Sequence, residues 1–190
     1  MILLVDIGNT RVKWATQVDG RLSPQRAAGY AQWSAVDWQR ELFDGPPVER
    51  VLAATVAGGD SRQALETAAR KAGTRRVDFV TSTAALAGVR NAYPDPGLLG
   101  VDRWVAVIGA YHLAQAACCV VDVGTAATLD AVDASGQHLG GFIVPGPQLM
   151  VRSLHAGTNN LAAYTAASPV GATQLFADNT RDAIERGCRV

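Results

Sequence analysis

MILLVDIGNTRVKW, residues 1 to 14, decides how the rest of the chain reads. The apolar run Ile2-Leu3-Leu4-Val5 is long enough for one buried strand, and it stops at Asp6-Ile7-Gly8-Asn9-Thr10. A strand therefore delivers a carboxylate to a tight turn. Taken alone, Asp-x-Gly-Asn is ordinary hairpin chemistry, because Gly and Asn tolerate positive φ. The construction returns, however, where Cys118-Cys119-Val120-Val121 runs into Asp122-Val123-Gly124-Thr125 and on to Asp130. Two such units, each followed by matching strands, indicate a duplicated fold with a cleft between its halves.

Outward from the first turn, Val12 to Val18 returns as a second strand, Asp19-Gly20 turns, and a third strand occupies about Arg21 to Tyr30. Trp33 to Phe43 has helical spacing, with Ser34 as its cap, Val36, Trp38 and Leu42 as apolar candidates, and Gly45-Pro46-Pro47 as its stop. Val48 to Thr55 reads as a buried strand, Asp60 to Gly73 as a helix capped by Asp60 or Ser61, and Arg76 to Thr81 as another strand. Strands alternating with helices after a meander make an α/β unit with a mixed sheet.

Ser82 to Gly100 shows no clear periodicity and contains Tyr93-Pro94-Asp95-Pro96-Gly97. A functional loop and a solvated connector describe it equally well. Val101 to Ala117 is a helix with Val101, Trp104, Val105, Ile108 and Tyr111 on one face. Asp102 falls in its first turn, where the positive end of the helix keeps a carboxylate ionised; a plain helix-start charge is also a sufficient reading. The second meander then runs through Val123, Ala126 to Asp133, a Ser135-Gly136 turn, and Gln137 to Val144. Gly140 to Gly146 (GGFIVPG) leads into a helix from Pro147 to His155, Gly157 to Gly171 is loop-like, and a last helix runs from about Asp178-Asn179-Thr180 to Arg186.

Composition narrows the function classes. Lys plus Arg and Asp plus Glu are 17 each, so no long-range field recruits nucleic acid or an anionic membrane, although a small anionic ligand can still be held locally. No apolar run approaches the ~20 residues that span a bilayer, and Met1 leads into a strand rather than a basic signal region, so a cytoplasmic protein is expected. Cys118, Cys119 and Cys188 form no disulfide framework or metal knuckle, and His112, His138 and His155 lack zinc-ligand spacing.

If the two Asp-x-Gly turns face each other, each offers backbone N–H groups and a Thr hydroxyl to a phosphate that the aspartates would repel. A magnesium ion between them resolves the conflict, since it takes one or two carboxylates plus phosphate oxygens and water. The turns therefore suggest a metal-nucleotide. Neither a G-x-x-x-x-G-K-[ST] loop nor a G-x-G-x-x-G turn occurs, and Lys13 is either a counter-charge to the phosphates or a solvent-facing strand residue.

Together, DIGNTRVKW at 6 to 14, GVDRW at 100 to 104, VDVGTAATLD at 121 to 130, GGFIVPG at 140 to 146 and NTRDAI at 179 to 184 resemble the type III pantothenate kinases of coenzyme A biosynthesis. The motifs keep the family order across almost the whole chain. The resemblance implies the fold of acetate and sugar kinases, Hsp70 and actin: α/β, duplicated and ribonuclease-H-like, with mixed sheets flanked by helices and ATP in the cleft. It places the halves at residues 1–100 and 101–190. It also implies ATP-dependent phosphorylation of pantothenate to 4'-phosphopantothenate by a homodimer that uses Mg2+ and a monovalent cation, K+ or NH4+.

Carried over by position, the first phosphate motif is Asp6, Ile7, Gly8, Asn9, Thr10, Arg11, Val12 and Lys13, with Asp6 holding magnesium through water. The pantothenate motif is Gly100, Val101, Asp102 and Arg103, with Asp102 as general base and Arg103 holding the substrate. Tyr93 and Thr180 match substrate contacts, Thr125 an ATP contact, and Asp122 the monovalent-cation position. Phosphoryl transfer has a loose transition state, so positioning and charge neutralisation do most of the catalysis and a base accepts the proton late. Arg103 suits a charge-assisted pair with the substrate carboxylate.

Related kinases continue past the Asn-Thr helix into further strand and helix, including a glycine-containing segment against the adenosine. The resemblance thus implies a truncated C-terminal half. A non-catalytic regulatory accessory protein of the same fold is the alternative, and a phosphatase or sugar kinase of the superfamily a third reading. The intact Gly100-Val101-Asp102-Arg103 motif favours pantothenate over a sugar.

Overall fold

The first meander builds as its alternation dictates. In β1 (Ile2–Ile7), Leu3, Val5 and Ile7 are buried while Leu4 and Asp6 face the opposite side. β2 (Arg11–Val18) pairs antiparallel with β1, setting Asp6 opposite Lys13 and Ile7 opposite Val12. Asp19 (φ 48) and Gly20 (φ 76) then form the expected two-residue hairpin turn. This computed structural model describes residues 1–157 and 176–188, so the loop expected over Gly157 to Gly171 lies outside the described residues from 158 onward.

The third strand is broken rather than continuous. β3 (Arg21–Leu22) and β4 (Arg26–Gly29) each pair antiparallel with β2, and Ser23-Pro24-Gln25 interrupts them. Pro24 has no N–H to give the ladder. At the break the Ser23 hydroxyl accepts the Thr16 N–H at 3.0 Å in place of a strand carbonyl.

After α1 (Ala35–Phe43), β5 (Arg50–Thr55) pairs parallel with β1; after α2 (Gly59–Lys71), β6 (Arg76–Phe79) pairs parallel with β5. The sheet order β3-β2-β1-β5-β6, with β4 also on β2, is the mixed ribonuclease-H-like sheet. Trp38 and Leu42 of α1 and Leu65, Ala68 and Ala69 of α2 pack on Leu3, Val5, Ile7, Val12, Val51 and Ala53. A large side chain taken from full exposure into such a core contributes about 1.5–3 kcal/mol.

Two helix details differ from expectation. Val36 is 67% exposed, because a residue two positions from Trp38 lies on the opposite side of the helix. Ser34 caps α1 as expected, in a reciprocal box with Asp37, but the cap of α2 is Gly58, and Ser61 instead donates its hydroxyl to the Gly58 carbonyl at 2.8 Å.

The stretch read as lacking periodicity holds a small hairpin, β7 (Ala85–Leu86) and β8 (Val89–Arg90), turned by Ala87 (φ 50) and Gly88 (φ 81), and a 3-10 turn at Pro96–Leu98. It leads into α3 (Val101–Ala114), which stops three residues short of the expected Ala117 because Gln115 turns left-handed at φ 51. Val101, Trp104 and Val107 are its buried apolar residues, and Arg103 is buried with them.

The second meander is β9 (Cys118–Val123), β10 (Ala126–Val132) and β11 (His138–Pro145), in the sheet order β11-β10-β9. It is followed by α4 (Pro147–Gly157) and α5 (Thr180–Gly187). Two compact units result: Met1–Cys118 with Val132–Gly140, and Cys119–Ala131 with Gly141–Val190. The division by packing keeps α3 with the first unit, whereas the motif-based boundary falls at residue 100. Among the described residues, no helix is long and apolar enough to cross a membrane.

Candidate active site

In the first unit the charged pair at the end of β1 is set by strand register. Asp6 and Lys13 are cross-strand partners, and Lys13 Nζ lies 3.7 Å from Asp6 Oδ2, with about two-fifths of each side chain exposed. The pair is solvated and worth little to stability. Both residues line a cavity of about 410 Å3, together with Leu4, Leu52, Ala54 and Val105 of α3. The face of β1 turned from the helical core thus opens on a space that reaches α3.

The turn beyond Asp6 closes through the Gly8 N–H, which donates to the Arg11 carbonyl at 3.0 Å. Asn9, Thr10 and Arg11 are exposed and Gly8 half-buried. The side chains of Ile7 and Val12 are fully buried in the core, so these two positions can meet a ligand only through their backbone. Sequence reading did not find the Tyr30 hydroxyl, which donates to the Gly8 carbonyl at 2.7 Å. Burial raises the Tyr30 phenol above its ordinary pKa, so it remains a donor.

At the start of α3 the chain gathers the expected acceptor residues. The Arg103 N–H donates to Asp102 Oδ1 at 2.8 Å, folding the carboxylate back over the helix entry. A Cβ added at Gly100, the N-cap, would stand 2.7 Å from the same oxygen, so glycine leaves that carboxylate its place. Arg103 is 7% exposed, and its Nη1 donates to Tyr93 Oη at 3.3 Å. Val101 is packed in the core, so its side chain is not offered to a ligand.

Tyr93 is itself supported. Its ring lies nearly parallel to that of His138, with centroids 6.3 Å apart and 13° between planes, and the Ala92 N–H reaches His138 Nδ1 at 3.5 Å. The β10–β11 turn clasps the same loop. The Arg90 N–H donates to the Gly136 carbonyl at 2.8 Å, and Arg90 Nε donates to Gln137 Oε1 at 3.1 Å. Asp133 Oδ1 accepts from the N–H groups of Ser135 at 2.8 Å and Gln137 at 2.9 Å and from the Ser135 hydroxyl at 2.8 Å. Those contacts hold the Asp133 carboxyl below its usual range, the Gln137 N–H contributing most. A lone His and an Asp-x-Ser-Gly turn gave little sign in sequence of this supporting role.

In the second unit, Asp122 lies exposed on β9 and Thr125 is exposed in the turn that follows. The Gly146 N–H donates to the Thr125 carbonyl at 3.0 Å, and a Cβ at Gly146 would overlap the Gly124 carbonyl. The close approach is the reason for the glycine. Thr180 is exposed at the first position of α5, after Asn179, whose side chain accepts the Asp182 N–H at 2.9 Å.

Among the described residues, no cluster of three or more His, Cys, Asp or Glu side chains is arranged to hold a metal. A hydrated magnesium ion carried mainly by phosphate does not require one, and the half-exposed Asp6 carboxylate suits it.

A family model described as type III pantothenate kinase matches residues 2–190. A type III pantothenate kinase of Aromatoleum aromaticum is 41% identical over 189 residues, covering 100% of this chain and 75% of that protein. One from Halorhodospira halophila is 39% identical over 197 residues, covering 100% and 76%. Among solved structures, a conserved putative Baf family transcriptional activator from Campylobacter jejuni aligns with TM-score 0.54 at 22% identity over 97% of this chain and 72% of that one. A putative 2-dehydro-3-deoxygalactonokinase from Sinorhizobium meliloti aligns with TM-score 0.51 at 14% identity over 89% and 60%. These two likenesses speak for the shared fold alone, while the sequence match is far more specific: this chain belongs to the type III pantothenate kinase family.

Proposed function

We propose that the protein transfers the γ-phosphoryl group of ATP to the primary hydroxyl of pantothenate, giving 4'-phosphopantothenate for coenzyme A biosynthesis. The observation that carries this reading is the start of α3 in a chain of this family, where Asp102 lies beside a buried Arg103 that is held by Tyr93. The relatives' names lend no support to a non-catalytic accessory role.

In this reading the turn from Asp6 to Lys13 takes the phosphates, through backbone N–H groups at Asn9 and Thr10 and the charge of Lys13 and Arg11. Magnesium, held by Asp6 through water, neutralises phosphate charge when bound. Arg103 and Tyr93 orient the pantothenate carboxylate, and Asp102 accepts the hydroxyl proton as the P–O bond forms. Gly100 keeps the Asp102 carboxylate free to do so. Thr125 is assigned to ATP, Thr180 to substrate, and Asp122 to K+ or NH4+. A cytoplasmic homodimer completes the proposal.

The test supplies the protein with MgATP and, in turn, pantothenate, hexoses and inorganic polyphosphate, and identifies products by mass. ADP and phosphopantothenate in equal amounts, with no sugar phosphate, is the expected result. Phosphorylation of a sugar, or release of phosphate from polyphosphate without a pantothenate product, would overturn the assignment.

A further inference from the structure

We propose that Tyr30 is a positioning residue for phosphate binding, which it serves by fixing the direction of the Gly8–Asn9 peptide group in the Gly8–Thr10 turn. The inference rests on the reading of that turn as the phosphate site and adds a residue that none of its motifs contains.

β4 places the residue. Gly29 pairs with Arg11 at the start of β2, so the next residue, Tyr30, arrives alongside the turn. Its ring meets Trp38 edge-on at 5.5 Å, and Trp38 meets Trp33 at 5.2 Å, with Trp38 only 3% exposed. From this fixed wall the hydroxyl donates to the Gly8 carbonyl at 2.7 Å and approaches the Asn9 carbonyl at 3.5 Å.

A trans peptide carries its C=O and N–H on opposite sides of one plane. Drawing the Gly8 carbonyl to Tyr30 therefore turns the Asn9 N–H the other way. A backbone N–H held outward from a turn is a donor that an anion can accept. The turn does not impose this by itself, because Gly8, Asn9 and Thr10 all lack positive φ and so do not form the mirror-image turn that favours a hairpin. The second unit has a counterpart: Gly146, just past its third strand, seats the turn at Gly124-Thr125 through the Thr125 carbonyl. In each half, the residue that follows the third strand orients the turn that follows the first.

Tyr30→Phe keeps the ring and removes only the hydroxyl. Wild type and variant are titrated with MgATP and with magnesium tripolyphosphate, with melting curves recorded for both and the pantothenate KM measured. Binding of both triphosphates should weaken about tenfold, the loss of one well-placed hydrogen bond, with the pantothenate KM unchanged. Equal triphosphate affinities would overturn the inference, as would a parallel loss for pantothenate, which marks a general structural role. If the variant does not fold, amide NMR of wild type decides: magnesium tripolyphosphate should shift the Asn9 N–H signal, and an unmoved signal overturns the proposal. A wild type that binds triphosphate but makes no phosphopantothenate would sink the kinase reading and leave this inference standing.

Discussion

Arg103 Nη1 and Tyr93 Oη are 3.3 Å apart, a contact that ties the loop before α3 to the helix's first turn. Arg103 is buried there while Tyr93 is half-exposed and backed by His138. The phenol thus fixes one edge of the guanidinium. Tyr93→Phe should raise the pantothenate KM about five- to tenfold and leave the ATP KM alone, and Arg103→Lys should raise it by about two orders of magnitude because the planar fork is lost. Steady-state kinetics in each substrate check this; a matching rise in the ATP KM would contradict it.

Gly100→Ala separates activity from stability. The backbone there, at φ −52, accepts alanine, but the new Cβ would stand 2.7 Å from Asp102 Oδ1 and drive the carboxylate aside. The expected outcome is a kcat lowered roughly tenfold or more with a melting temperature within a few degrees of wild type. A large drop in melting temperature at unchanged kcat would show that the glycine serves folding instead.

Asp6 and Lys13 should divide metal and phosphate between them. Asp6→Ala is expected to abolish magnesium-dependent nucleotide binding, while Lys13→Met should weaken it about tenfold and keep the metal dependence. Their solvated ion pair predicts little change in stability for either. Calorimetric titration with and without magnesium is the check, and unchanged binding in Asp6→Ala counts against the metal role.

The Asp133 clasp gives a pH prediction. Its folded pKa is lowered, so its contribution to stability is fully present above the ordinary carboxylate range, near 3.9, and disappears as pH falls through the lower folded value. Asp133→Asn should therefore melt below wild type at neutral pH, with the gap closing as the solution is acidified below about pH 4. A gap that stays constant with pH would assign the effect to shape rather than charge.

What was legible in the sequence was local. The apolar run ending at Asp6, the Asp19-Gly20 turn and the Ser34 cap each express chemistry within four or five residues, and each stands in the structure as read. The broken third strand was visible only as Pro24 inside a plausible meander. The β7–β8 turn was hidden because Ala87 adopts a left-handed conformation that its side chain gives no reason to expect. The motif marks Arg103 as holding the substrate but gives no sign of its burial, since that depends on packing that no short window contains. Tyr30 lies some twenty residues from the turn that it holds, and nothing near Gly8 points to it.

The most direct test of the account compares wild type with Asp102→Asn in one assay that follows ADP and phosphopantothenate together, alongside ATP binding. The wild type should form ADP only when pantothenate is present, matched one for one by phosphopantothenate. Asp102→Asn should bind ATP normally and turn over about a hundredfold more slowly or worse. Near-normal turnover in that variant, or ADP formed by the wild type without phosphopantothenate, would contradict the account.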